Sequence, residues 1–426
     1  MASRVAHTSL AQGTSRVLAA EPLPTIAPPP SSWPRVRAGA RLAVADVTEW
    51  FGETSGGIRT YLLEKGRYVA TRPWLRQALV VPGAEDAVEH DQGVTVYRLR
   101  GPRIPRQHPY RFMLATRSLR NIIAHERPHI IEVGSPFLTP WLMRRVGAEL
   151  GIPVVAFYHT NLPRLVTSGG AATASIVRRA TAHVLSRYVR ALHAPAPLTI
   201  ASSRFALADL ARAGVERVAC LPLGVDLERF RPRDDVERHE ARRRHGLPLD
   251  APLAGFVGRF ATEKAIDVLL DGWSRVAART GLRLVLVGAG PIEEALRRHP
   301  YAAHVHFVPF ERDRERLAAL LSALDLYLAP GPVETFGLSA LEALSSGTPV
   351  LSTDQGGVAE FVTASGAGAT YETGNAHAMA DAAIALARQD LAALGRVGRA
   401  YAEREHAWER VFDRLFALYA EVARVG

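Results

Sequence analysis

Residues 329–350 read APGPVETFGLSALEALSSGTPV. An apolar run ends at Ala329 and a Gly-Pro loop follows. An apolar helical stretch opens at Leu338, Ser345-Ser346-Gly347 stops it, and a new apolar run starts at Val350. That order of strand, loop, helix and strand is the unit of a parallel sheet covered by helices. Glu334 lies in the loop at the helix entrance, and Glu342 follows eight residues later, a little over two turns along. The backbone amides of Phe336, Gly337 and Leu338 lead the helix, where free N–H groups and the helix dipole hold an anion such as phosphate. A carboxylate deeper along the helix suits a ribose diol, and the loop carboxylate suits a sugar hydroxyl. Either glutamate alone would read as a cap or a solvated face; the constellation is what argues for a site.

The same alternation runs outward from this stretch. From Pro252 it continues through PLAGFVGR, RLVLVG, HVHFVP, LDLYLAP, TPVLSTD and GAGATYE. An earlier series opens at Arg41 with RLAVADV, the loop GETSGGIR and the helix TYLLEKGRYVATR, and goes on through QALVVP, VTVYRL, HIIEVG, PVVAFYH and LTIASS. The pattern predicts an α/β protein of two facing, Rossmann-like doubly wound domains, over residues 39–222 and 251–405. Residues 223–250 are charged, lack a core pattern and read as the connection between domains. The last segment, 406–426, carries Val411, Phe412, Leu415, Leu418, Tyr419 and Val422 on one helical face, and is expected to return to the first domain. Residues 1–38 are rich in proline, lack apolar periodicity and read as a disordered tail. No continuous apolar segment there suits a signal peptide.

The chain has 426 residues, 48% hydrophobic and 22% charged, which is two to three domains with enough apolar material for their cores. Global disorder is excluded, because disordered chains are poor in the Leu, Val and Ile that abound here. The single cysteine, Cys220, excludes an intramolecular disulfide framework and a cysteine-built zinc site. No run approaches the roughly 20 apolar residues that span a bilayer, so a soluble, cytoplasmic protein is expected. The formal net charge is +10, and of 52 basic residues only Lys65 and Lys264 are lysine. Such arginine bias has a compositional reading, a GC-rich genome, and a functional one, attraction to phosphate in nucleic acid or on a membrane. It also makes the two remaining lysines positions to watch.

The second domain opens on FVGRFATEK, residues 256–264. Arg259 and Lys264 follow the end of a parallel strand, where open α/β sheets place ligands. Two cations there match a diphosphate, the arginine bidentately. In the first domain Gly56-Gly57 follow the first strand and precede a helix, letting backbone amides approach an anionic group; an ordinary strand–helix turn would look the same. VGAGPIEE, residues 287–294, fails as a dinucleotide fingerprint. Gly288 and Gly290 are in place, but Glu293 holds the third glycine position.

Glu334-x7-Glu342, the upstream Gly258-Arg259-x4-Lys264 and the Gly56-Gly57 pair together resemble glycosyltransferase family 4, retaining enzymes of GT-B fold. The resemblance covers roughly residues 41–426. Within the family, TSGGIRT, LPLGVDLERFRPR, GRFATEK and LAPGPVETFGLSALEALSSGTPV are similar to the bacterial phosphatidylinositol-mannoside mannosyltransferases. FYHTNLPR, residues 157–164, is similar to enzymes that glycosylate diacylglycerol from UDP donors. The resemblance implies a donor diphosphate between the domains, with Gly57 beside it and Arg259 and Lys264 as its clamp. It implies Glu334 on the donor hexose, Glu342 on the ribose, and His159 close to the sugar and acceptor. Gly56, Phe336, Gly337 and Leu338 complete the implied donor-binding set. Two departures stand out: Ala265 where the family usually has glycine, and Pro309-Phe310 in place of the glycine after the base-proximal strand, which leaves the base open.

The implied chemistry breaks a nucleotide sugar at its anomeric carbon, and Arg259, Lys264 and the helix amides stabilise the charge growing on the diphosphate. Retention in the family is commonly explained by same-face attack, with the departing phosphate taking the acceptor's proton. The sequence has no D-x-D metal motif, so neither a metal nor a cofactor is expected. The favoured partners are GDP-mannose and a lipid or glycolipid acceptor. A UDP-hexose transferase acting on diacylglycerol or a glycan is the competing enzyme. A silent sugar-nucleotide-binding protein and a basic nucleic-acid-binding protein are the alternatives of another class; the second lacks a recognition motif and clustered arginines. Two basic stretches, 101–121 and 175–194, bear on the acceptor. The second interleaves Ile176, Val177, Ala180, Val184, Tyr188 and Val189 with Arg178, Arg179, Arg187 and Arg190. A helix lying on anionic lipid has that composition, and so has a packed helix with a solvated arginine face. The lipid reading implies a peripheral place on the inner face of the cell membrane.

Overall fold

The computed structural model describes residues 40–52, 56–91, 94–105, 110–167 and 175–425. The tail over 1–38 lies outside them, as do Thr54 and Ser55 of the first glycine loop and the side chains of Ile176, Val177, Arg178 and Arg179.

The first domain is a sheet of β1 (Leu42–Val47), β2 (Leu75–Gly83), β3 (Ala87–Asp91), β4 (Val94–Arg100), β5 (Ile130–Val133), β6 (Val154–Tyr158), β7 (Thr199–Ala201) and β8 (Val218–Cys220). Its order is β3-β4-β2-β1-β5-β6-β7-β8, and every pairing is parallel except the β3–β4 hairpin at the edge. The crossovers are α1 (Gly57–Ala70), α2 (Thr116–Glu126), α3 (Thr139–Leu150), α4 (Leu162–Thr167), α5 (Ser175–His193) and α6 (Arg204–Arg212). The chain leaves β1 towards β2 and returns to β5 on the other side. The switch point therefore falls between β1 and β5, and the loops after both open at it.

After α7 (Asp235–Arg244), the second sheet takes β9 (Leu253–Val257), β10 (Arg283–Val287), β11 (Val305–Val308), β12 (Leu326–Ala329), β13 (Val350–Thr353) and β14 (Gly368–Tyr371). Its order, β11-β10-β9-β12-β13-β14, is parallel throughout and puts the switch point between β9 and β12. Here the helices are α8 (Ile266–Thr280), α9 (Glu293–Arg297), α10 (Arg314–Ala323), α11 (Leu338–Ser345), α12 (Gly357–Ser365), α13 (Ala376–Ala387) and α14 (Leu391–Glu405). Buried strands such as LAGFV and LYLA read as unbroken apolar runs because both faces are covered.

The last helix, α15 (Trp408–Val425), returns to the first domain as expected. Trp408 and Phe412 pack on Tyr61, with Phe412 and Phe416 on Tyr68 of α1. The segment 223–250 departs from its reading as a connection without a core pattern. Phe230 is fully buried, and Arg242 of α7 donates to the carbonyls of Ala323, Leu249 and Ala251 and to Asp325. An Asp234/Glu237 capping box starts that helix. No helix among the described residues is long and apolar enough to cross a membrane.

Candidate active site

The loops at the two switch points carry the predicted residues. In the second domain, the turn after β9 places Arg259 beside Glu263, with which it pairs, and Lys264 against the carboxylate of Glu334. Gly331 lets these loops touch: a Cβ there would lie 3.2 Å from the Glu263 carbonyl and 3.3 Å from the Lys264 Cα. Gly337 caps α11 at φ +90°, and a side chain at that position would collide with Val358. The amides of Gly337 and Leu338 thus head α11, while the Phe336 ring is buried against Phe361. Glu334 is fixed from behind, its carbonyl accepting from Gly357 N at 2.7 Å at the start of α12. Ala265 sits at φ +48°, ψ +41°, the left-handed region where glycine carries no penalty. The family's usual glycine at this position thereby has its physical reason.

Glu342 is buried on α11 and takes Arg314 of α10 at 2.5 Å. Burial pushes its carboxyl up, against the opposing pull of Arg314. Phe310 of the Pro309-Phe310 departure is 44% exposed at the end of β11. Gly288 and Gly290 of VGAGPIEE serve packing: a Cβ on either would run into the backbone of Gly258 or Phe260.

The first domain supplies the facing wall. Gly57, the first residue of α1, lies opposite α11; a Cβ at this position would stand 3.8 Å from the Leu338 side chain. Gly56 caps α1, and a Cβ there would meet no atom of the described residues within 4 Å. His159 follows β6, its ring stacked on Phe157 with centroids 4.0 Å apart, and lies against Gly134 at the end of β5. Burial, reinforced by the positive charge of Lys65, holds the imidazole down at about 3, so the ring is neutral. The carbonyl of His159 accepts from Thr335 Oγ1 at 2.9 Å. The structure therefore brings Gly57, His159, Lys264, Glu334 and the α11 entrance to one cleft. Arg259 is at its mouth, and Glu342 lies one layer deeper.

Beneath His159 lies a charge cluster that no sequence motif assembles. Lys65 is wholly buried, with Nζ 2.6 Å from Asp46, 3.2 Å from Glu132 and 3.0 Å from the Tyr419 hydroxyl of α15. Gln77 donates to Asp46 at 2.6 Å, and Tyr61 and Tyr419 both donate to Glu132. Burial raises the Glu132 carboxyl to about 7, with Lys65 opposing the rise. The scarcity of lysine is the one sequence signal for this cluster. A hollow of about 300 Å³, lined by Asp235, Arg238, Arg242 and Asp325, lies at the opposite strand ends of the second sheet, before β9 and β12, and carries ion pairs of its own.

Two facing parallel-sheet domains with the predicted residues in the cleft between them define a GT-B glycosyltransferase. Residues 55–229 match Glycosyltransferase Family 4, and residues 251–389 match Glycosyl transferases group 1. The chain is 32% identical over 328 residues to the GDP-mannose-dependent alpha-(1-6)-phosphatidylinositol dimannoside mannosyltransferase of Mycobacterium tuberculosis, covering 76% of this chain and 82% of that one. It is 32% identical over 358 residues to a GDP-mannose-dependent alpha-mannosyltransferase of the same species, covering 81% and 88%. Among solved structures, sucrose-phosphate synthase from Thermosynechococcus elongatus shares the fold at TM-score 0.75 and 23% identity, over 91% of this chain and all of that one. The chain belongs to glycosyltransferase family 4, and it is a glycosyltransferase.

Proposed function

We propose that this enzyme moves mannose from GDP-mannose to an inositol-based glycolipid, with retention at the anomeric carbon and without a metal. The observation that carries the site is the meeting of Lys264 with Glu334 at the entrance of α11, opposite Gly57 of the other domain. Lys264, Arg259 and the leading amides of α11 gather positive charge where a departing diphosphate develops its negative charge. Glu334, beside them, orients the hexose through its hydroxyls. The ring of His159 stays neutral and faces the acceptor side. Glu342, kept in place by Arg314, takes the ribose diol. The choice of donor and acceptor rests on the mycobacterial relatives, both named for GDP-mannose and one for phosphatidylinositol dimannoside.

The same reading puts the basic stretches of the first domain on anionic lipid. Leu114 and Val184 within those stretches, and Leu138 and Trp141 at the start of α3, are exposed, and Arg144 lies 5.3 Å over the Trp141 ring. Binding to vesicles of anionic phospholipid is expected to fade with salt; salt-insensitive binding, or none, removes this part.

Thermal unfolding with GDP, UDP and ADP in large excess tests the donor. A nucleotide at about 100 times its Kd adds roughly 2.7 kcal/mol, read as a raised midpoint. Stabilisation by GDP alone is expected. Stabilisation by UDP alone shifts the donor to a UDP-hexose and the acceptor to diacylglycerol or a glycan, the reading that FYHTNLPR supports. No shift with any of the three removes the nucleotide site.

A further inference from the structure

Thr335 is the residue between Glu334 and Phe336, and it is bonded on both sides to the other domain. Its hydroxyl donates to the His159 carbonyl at 2.9 Å. Its own carbonyl accepts from Ser203 Oγ at 2.6 Å and from Ser202 Oγ at 3.2 Å. The preceding carbonyl, that of Glu334, is held within the second domain by Gly357 N. Two consecutive peptide units are thus gripped from opposite domains, and the catalytic-loop glutamate sits at the junction. We propose that Thr335 is a positioning residue: it sets the donor-side carboxylate of Glu334 in register with the acceptor-side imidazole of His159.

Three features of the surroundings make this a built contact. Ser203, which grips Thr335, is also the N-cap of α6, accepting from Ala206 N at 3.1 Å, so its hydroxyl has a fixed direction. One turn along α12, Glu360 crosses the same seam and accepts from Arg204 N at 2.9 Å and from Phe205 N, the leading amides of α6. Gly357 leaves no room for the loop to retreat: a Cβ there would approach the Thr335 carbonyl to 2.5 Å. On the far side, the His159 carbonyl belongs to the residue whose ring is pinned on Phe157. A shift of the Thr335 hydroxyl bond therefore moves one reacting half against the other. Consecutive Cα atoms are about 3.8 Å apart, so Glu334 follows Thr335 closely. A misplacement of about 1 Å between reacting groups is worth on the order of 10²-fold in rate.

The inference rests on the reading of Glu334 and His159 as groups flanking the reacting carbon, and the test separates the two. The full-length protein is compared with Thr335→Val, which keeps the shape and loses the donor, with Thr335→Ser, which restores the donor, and with Glu334→Gln. For Thr335→Val, kcat is expected to fall about 10- to 100-fold, with the donor KM within about twofold, because Lys264 and α11 belong wholly to the second domain. Thr335→Ser is expected to return kcat to within about threefold. Hydrogen exchange of the peptides spanning 157–161 and 334–338 is expected to quicken in Thr335→Val and not in Thr335→Ser; this readout needs no turnover. Full activity of Glu334→Gln overturns the underlying site. With Glu334→Gln inactive, unchanged kcat and unchanged exchange in Thr335→Val overturn the inference. So does a Ser variant as impaired as the Val variant.

Discussion

Lys65 and Lys264 are the only lysines among 52 basic residues, and the two places they occupy could hardly differ more. Lys65 is wholly buried in the first domain, between Asp46 and Glu132, with the rings of Tyr61 and Tyr419 4.7 Å and 5.3 Å from its ammonium. Lys264 is partly exposed within the cleft and has one carboxylate partner among the described residues, Glu334. A buried ammonium must have its donors satisfied, since an unpaired charge in the interior is very costly. A partly exposed one with a single partner keeps donors for a phosphate. Scarce lysines thus occupy two kinds of place: one is sealed among its partners, and the other stands open enough to take a further anion.

That contrast sets the order of the predictions. Lys264→Met and Glu334→Gln are each expected to lower kcat by about 10³-fold or more, while the unfolding midpoint stays within about 2 °C. Radiometric transfer assays with parallel calorimetry check this, and a large loss of midpoint in either variant would erase the distinction between the lysines. Lys65→Met is expected to destabilise by about 3–5 kcal/mol, because Asp46 and Glu132 are left buried with their cation removed. Urea unfolding measures it. A loss below about 1 kcal/mol would mean the cluster does not fasten α15 to the first sheet.

Next in size is the effect of acid. Burial holds His159 at about 3 and His193 at about 4, and lowers His406 as well. Each folded value lies below the ordinary 6.5, so the stability these neutral rings contribute is present above about pH 6.5 and is lost as pH falls towards 4 and below. The urea midpoint is expected to drop across that window. The pH dependence of kcat is expected to show no limb near 6.5 from His159, since its ring is already neutral there. A His159→Ala variant that removes such a limb would contradict the assignment. Smallest of all, Ala265→Gly relieves a left-handed alanine and is expected to raise stability by about 0.5–1 kcal/mol, part of the relief being offset by the freer unfolded chain.

What the sequence makes legible is whatever is local. The glycine loops, the apolar runs and the helix entrance at Leu338 lie within short windows, so both sheets and the loops that gather Lys264, Glu334 and the head of α11 follow from spacing. The capping box Asp234-x-x-Glu237 is also local, yet α7 is hard to see because its surface is charged almost all round and its one buried cation, Arg242, looks like its neighbours. The edge strand β3 has too short an alternation to stand out. The seam at Thr335 has no sequence signature, because its partner is a main-chain carbonyl 176 positions away. In the cluster around Lys65, the lysine itself bonds a hydroxyl 354 positions away. Side-chain chemistry can be guessed from neighbours in sequence, whereas such pairings are fixed only when both sheets and α15 are in place.

The most direct measurement is product formation. The full-length protein and its Glu334→Gln variant are incubated with radiolabelled GDP-mannose and a phosphatidylinositol mannoside, and label is counted in the organic phase. Mannosylated lipid from the unsubstituted enzyme and almost none from the variant is the predicted result. Label transferred equally by both proteins, or transfer seen only when a UDP-hexose replaces GDP-mannose, would contradict it.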